Sequence, residues 1–118
     1  MINFRFQDLD IWKEAIDVAD KLFDIADGLE TKKMYRFAEQ LRGAAMSVSN
    51  NIAEGSGSTS NSDFINFLKF SRRSIFENAN ILILLEKRGL VRLEEYENLL
   101  KKLDSLSRKI TNFQKSLK

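Results

Sequence analysis

Cysteine, histidine and proline do not occur anywhere in the 118 residues. Without cysteine there is no disulfide framework and no thiol chemistry. Without histidine the usual general base, the serine–histidine pairing and imidazole-bound metals are excluded, as are the Glu-x-x-His pairs of di-iron bundles. Without proline, where an average chain carries about 5%, the usual breaker of helix interiors is missing, which fits long helices joined by few loops. Long hydrophobic runs are missing too. The longest unbroken apolar stretch is Ile81–Leu85, far short of the ~20 residues of a membrane span. The opening MINFRFQDLD mixes polar and apolar side chains and does not read as a signal peptide. The expectation is a cytoplasmic protein without a membrane segment.

A hydrophobic content of 43% and a charged content of 31% belong to a folded chain, not a disordered one. At this length residues 1–118 read as one domain, able to bury roughly 65–70% of its unfolded surface. The net charge is +2, unevenly placed. Residues 1–60 carry 7 basic and 10 acidic side chains, and residues 61–118 carry 12 and 7. Lys101–Lys118 holds six basic residues against Asp104 alone. Such asymmetry describes either a solvated helix face or a basic surface that meets phosphate or an acidic partner. On the second reading the candidate nucleic-acid contacts are Arg72, Arg73, Lys101, Lys102, Arg108, Lys109 and Lys115.

Hydrophobic periodicity places four amphipathic helices and no strands. The first is expected from about Leu9 to Asp27, with Trp12, Ala15, Ile16, Ala19, Leu22, Phe23 and Ala26 on one face. Asp8 or Asp10 is its expected N-cap and Gly28 its stop. The second runs from about Thr31 to Ala53 or Glu54, on a stripe of Leu41, Ala45, Val48 and Ile52. Beside it Gln40, Ala44, Ser47, Asn51 and Glu54 form a second stripe, and Gly55 and Gly57 are expected to end the helix. Ser60 and Asp63 supply the S-x-x-D pattern of the next start. The third runs from Asn61 to Arg88 with Gly89 as its stop, and the fourth from about Leu93 to Leu117. Short links make neighbours antiparallel, so the fold class is all-α, an up-down-up-down four-helix bundle.

Helix three is apolar on nearly every side. A 118-residue monomer cannot hide such a helix all round, so the surplus at Ile65, Phe76 and Ile83 predicts self-association. Two polar groups lie beside the core stripes. Ser47, Asn51 and Glu54 read either as structure, with Asn51 and Glu54 satisfying free N–H groups at the start of helix three and Ser47 bonded within the bundle, or as a ligand or metal site completed by Glu77. Ser71, Ser74, Glu77 and Asn78 read either as a polar seam, with Arg42 or Arg72 pairing Glu77 or Glu54, or as a pocket. No base stands at helical spacing from Ser47, and no cofactor loop is recognisable. No catalytic, cofactor-binding or metal residue is therefore expected. Phe4, Phe6 and Trp12 read as core packing at the start of helix one.

Three stretches carry a family resemblance: FQDLDIWKEA at residues 6–15, EQLRGAAMSVSNNIAEGSG at 39–57 and FINFLKFSRRSIFE at 64–77. They resemble the four-helix-bundle proteins encoded in intervening sequences of bacterial 23S ribosomal RNA genes, over nearly the whole chain. The S-x-x-x-N-I-A-E-G signature falls on Ser47, Asn51, Ile52, Ala53, Glu54 and Gly55. Departures are Ser49 for the family's proline, Ser58 for an arginine, and Arg73 with Ser74 for a Gly-Ser pair. The resemblance implies a homopentamer of bundles with a ribosomal-protein label. It also implies kinship with the accessory protein of diversity-generating retroelements, a basic pentamer that works with a reverse transcriptase and nucleic acid. The expected role is a non-enzymatic scaffold that binds RNA or DNA weakly. The alternatives are a protein-interaction adaptor, or a bundle holding a metal or ligand on carboxylates.

Overall fold

Apolar side chains recurring every three or four residues wind this chain into four long helices. The computed structural model describes all 118 residues. A 3-10 turn, Arg5–Asp8, leads into α1 (Asp10–Thr31), α2 (Tyr35–Ser56), α3 (Asn61–Lys87) and α4 (Leu93–Ser116). There are no strands. The helices form an antiparallel bundle in which each packs on its neighbours in sequence and α4 closes against α1. The closest pairing is α2 with α3. Twenty-three buried apolar residues drawn from all four helices make one core. No helix is long and apolar enough to cross a membrane.

The α2 stripe lies inward as its spacing requires: Leu41, Ala45, Val48 and Ile52 are all buried. So are Phe64, Leu68, Ser71, Ile75, Asn78, Leu82 and Leu85 of α3, and Leu99, Leu103, Leu106 and Ile110 of α4. In α1 the inward face is rotated slightly from the expected one. Ile11, Val18 and Leu29 are buried, whereas Ile16 is 39% exposed and Trp12 and Phe23 are half-buried. The aromatic cluster is likewise less internal than expected. Phe4 stacks on Phe6 at 5.7 Å and Phe6 meets Trp12 at 5.1 Å, but Phe4 is 61% exposed.

Helix ends correct the sequence reading in three places. Leu9, not an aspartate, stands at the N-cap of α1 and offers no side-chain cap. Gly28 does not stop α1, because its favourable stop lies further on. Lys33 takes φ 61°, and Met34 N–H donates to the Leu29 carbonyl at 2.9 Å while Lys33 N–H donates to Glu30. That closing pattern usually recruits glycine. Gly89 supplies it at the end of α3 with φ 70°, as expected, and Leu90 N–H donates to Leu85 there. Ser60 caps α3 as expected, its hydroxyl accepting from Asp63 N–H at 3.1 Å.

The third correction concerns Gly55, which lies inside α2 rather than ending it, and is buried. A Cβ there would sit 2.7 Å from Cβ of Phe67 and 2.8 Å from Cδ1 of Phe64. The glycine is needed for close approach of two helices, not for a turn. Arg5 reinforces this end of the bundle. Its guanidinium lies 5.2 Å from the Phe64 ring centroid and donates to the Ser56 carbonyl at the end of α2.

Two substitutions check these assignments by chemical denaturation. Gly55→Ala forces Phe64 and Phe67 aside and should lower stability by about 1–3 kcal/mol. Lys33→Gly relieves a left-handed backbone and should raise it by up to about 1 kcal/mol. An unchanged midpoint in Gly55→Ala would mean that α2 and α3 do not approach as closely as described.

Candidate functional site: a hydroxyl–amide seam and a cationic groove

The α2–α3 contact brings together most of the polar residues singled out from the sequence. Ser71 donates to the Val48 carbonyl at 2.8 Å. Asn78, fully buried, donates through Nδ2 to the carbonyls of Ala44 at 2.8 Å and Ser74 at 2.7 Å. Asn51 donates to the Ser47 carbonyl at 2.8 Å and to its Oγ at 3.1 Å. The Ser47 and Ser74 hydroxyls are 2.7 Å apart, and Ser74 donates to the Phe70 carbonyl at 3.2 Å. Since a hydroxyl carries one proton, Ser47 must be the donor to Ser74. The result is a directed chain, Asn51 to Ser47 to Ser74 to the backbone of Phe70. Oδ1 of Asn78 is the one atom of this seam left buried without a partner.

Both carboxylates expected here lie elsewhere. Glu54 and Glu77 are exposed and form no salt bridge. Gly55 packs against Phe64 and Phe67, whereas Ala44 packs against Asn78. Glu54 and Glu77 are therefore about nine residues out of step, ~14 Å along the bundle. They cannot share a metal, and no group of three carboxylates converges anywhere. At the start of α3 the side chain that accepts from a free N–H is that of Ser60, whereas Asn51 bonds to Ser47 within α2. Arg42 turns to α1, donating to Asp27 and Glu30 at 2.6 Å each. The Asp27 hydrogen bond, then that of Glu30, raises the pKa of this guanidinium further above its ordinary value.

The candidate cations separate into two environments. On the α1–α4 side, Lys109 pairs with Glu14 at 2.6 Å. Lys102 lies beside Lys21, whose hydrogen bonding, together with desolvation and like charge, holds its pKa below the ordinary lysine value. Arg108 pairs with Asp104 one turn earlier at 3.2 Å. Lys101 stands among Glu94, Glu95 and Glu97 in a groove of about 720 Å³ that carries both signs. Lys115 is exposed near the end of α4. Two cations of the basic tail, Arg108 and Lys109, are thus paired with carboxylates.

On the outer side of α3 the situation is different. Arg72 and Arg73 share a groove of about 560 Å³ with Asn66, Lys69 and Phe70 of α3 and Thr111 and Gln114 of α4. Three cations, three neutral polar side chains and one aromatic ring line it, with no carboxylate. Lys69 escaped the sequence reading, although its spacing of three and four from Arg72 and Arg73 puts it on their face. Thr111 and Gln114 carried no local signal at all. Arg72 is steadied by Phe76, its guanidinium 5.0 Å from the ring centroid. Of the three residues expected at an oligomer interface, Ile65 and Ile83 are half-buried within the chain and Phe76 is 57% exposed. Phe76 borders an apolar groove of about 480 Å³ with Ile75, Ala79, Leu100 and Leu103.

These features define an antiparallel four-helix bundle whose second and third helices are joined by a hydroxyl–amide seam. Residues 7–112 match the family described as 23S rRNA-intervening sequence protein, and the chain belongs to that family. A solved structure from Bacteroides thetaiotaomicron, a protein of unknown function from the S23 ribosomal protein family, superposes with a TM-score of 0.84. It is 20% identical and covers 89% of this chain and 98% of its own. At that identity the likeness establishes the fold. No curated protein matches the chain.

The seam leads to a discriminating pair of variants. Asn51→Ala removes two hydrogen bonds from a partly buried chain and should lower stability by about 0.5–1.5 kcal/mol. Glu54→Ala changes an exposed, unpaired side chain and should stay within about 0.5 kcal/mol of the parent. Equal losses in urea unfolding would mean that Glu54 has a partner outside the single chain.

Proposed function

We propose that this chain is a non-enzymatic, single-domain scaffold of the cytoplasm that assembles into homopentamers and binds RNA or DNA through its α3–α4 groove. The observation that carries the reading is the carboxylate-free groove holding Lys69, Arg72 and Arg73. Phosphate backbones are recognised by clustered cations that displace condensed counterions. In a symmetric ring each such groove is repeated, and linked grooves gain avidity without new contacts. The family's association with ribosomal RNA genes points the same way. Catalysis has no support in the side chains: with no histidine or cysteine, the Ser47 and Ser74 hydroxyls bond to each other rather than to a base.

A second reading rests on the apolar groove beside Phe76. An exposed aromatic over an apolar floor suits a protein partner, so the chain would serve as an adaptor, like the accessory protein of diversity-generating retroelements.

Two measurements test the proposal. Light scattering at micromolar concentration should return a mass about five times the 13.6 kDa chain, as a closed cyclic assembly requires; a monomer would overturn the assembly. Fluorescence anisotropy with a ribosomal RNA fragment and an unrelated RNA should show comparable binding that fades steeply as salt rises. Replacing Arg72 and Arg73 by Gln should flatten that salt dependence by about 0.7 log units per lost contact on a single strand. No binding at low salt would remove the nucleic-acid reading in favour of the adaptor.

A further inference from the structure

We infer that the groove selects single-stranded over duplex polynucleotide, with Phe70 as the platform on which an unpaired base stacks. This deepens the nucleic-acid reading proposed above and rests on it.

Phe70 is half exposed, and its ring faces no aromatic or cationic partner within the chain. The other widely exposed phenylalanines are engaged: Phe4 on Phe6, and Phe76 under Arg72. Phe70 is also the one apolar side chain among the seven lining a groove that is otherwise cationic or neutral-polar. Cations that follow a backbone, with an open ring set among them, are the physical requirements for binding a single strand without reading its sequence. A duplex keeps its bases stacked inside, so a ring set in this groove reaches only its backbone; a single strand can splay a base onto that ring. Asn66, Thr111 and Gln114 stand in the same groove with donors and acceptors for sugar and base edges.

The seam sets the platform's position. Ser74 donates to the carbonyl of Phe70 and accepts from Ser47, which Asn51 holds in turn. Motif residues that contact no ligand thereby anchor the turn of α3 that presents the ring. Arg72, oriented by Phe76, and its neighbour Arg73 take the phosphates on either side. Stacking uses the face common to all four bases, so RNA and DNA single strands share the chemistry, and only the 2′-hydroxyl separates them.

The test is anisotropy at fixed low salt on the full chain, with one labelled sequence offered as single-stranded RNA, single-stranded DNA and RNA duplex. The parent should bind both single strands at least about tenfold tighter than the duplex, as the loss of one stacked base implies. Phe70→Ala and Phe70→Leu, the latter keeping apolar bulk, should each weaken single-strand binding by roughly 5- to 100-fold while leaving duplex binding and the salt slope unchanged. Phe70→Tyr should bind like the parent. Thermal melting and light scattering on the same samples establish that fold and assembly persist. If Arg72→Gln with Arg73→Gln abolishes binding but Phe70→Leu does not alter it, or if duplex binds as tightly, the stacking inference is overturned and the nucleic-acid reading survives. If the parent binds none of the three probes, both are overturned. Tighter binding of RNA than of DNA by a parent that keeps its Phe70 dependence supports the inference and assigns the 2′-hydroxyl a contact.

Discussion

Everything else in this bundle depends on how closely α2 approaches α3. Gly55 permits the approach at one end, where no side chain fits between it and the rings of Phe64 and Phe67. Farther along, Ser71 and Asn78 reach across to backbone carbonyls of Val48 and Ala44. A bond from a buried side chain to the neighbouring helix's backbone is possible only at one axial offset. Sliding α3 by a turn would break both bonds between the helices and leave Asn78 only its bond to the Ser74 carbonyl of its own helix, with about 1–3 kcal/mol lost for a buried group left unpaired. A core of leucine and alanine alone tolerates many packings. The polar seam removes that freedom, and even accepts an unpaired Oδ1 on Asn78 to do so.

That register decides where charge and exposed rings emerge. With Ser74 held to Ser47 and to its own helix, the next faces of α3 turn outward in a determined order. Lys69, Arg72 and Arg73 come to lie against the end of α4, where Thr111 and Gln114 are uncharged. On the opposite side of α4, Lys109 and Lys102 meet helix α1, where Lys109 pairs with Glu14 and Lys102 lies against Lys21. Of the salt bridges, only Lys109 with Glu14 joins the two halves of the chain, so the asymmetry between them persists in the folded bundle. On α3 the groove of Lys69, Arg72 and Arg73 has no carboxylate in its lining, which leaves counterions there to be displaced.

The signature around residues 47–55 has a structural explanation that spacing alone does not supply. Its serine and asparagine form a hydrogen-bonded chain into α3, its isoleucine is core, and its glycine leaves room for Phe64 and Phe67 of α3. Glu54 alone contributes nothing visible to the isolated chain. Short polar residues clustered in one stretch invite reading it as a site. Here the same residues are small because the space between two backbones is small.

Sequence alone determined the class of fold and much of the core. Local rules suffice for that: helical periodicity names the buried stripe of α2, Ser60 caps because its hydroxyl reaches three residues ahead, and Gly89 ends α3 because it accepts a positive φ. The missing residue types likewise exclude thiol and imidazole chemistry before any coordinate is known. Only the tertiary structure decided that Gly55 packs rather than turns, that Arg42 serves α1 rather than Glu54 or Glu77, that two expected interface isoleucines are half-covered, and that Lys69 joins Arg72 and Arg73 across from Thr111. Each of these depends on residues far apart in the chain. A helical stripe states which side faces the core, but not which neighbour it meets, at what axial offset, or how near. Those quantities arise when side chains of several helices must fill one volume together, and no single segment contains them.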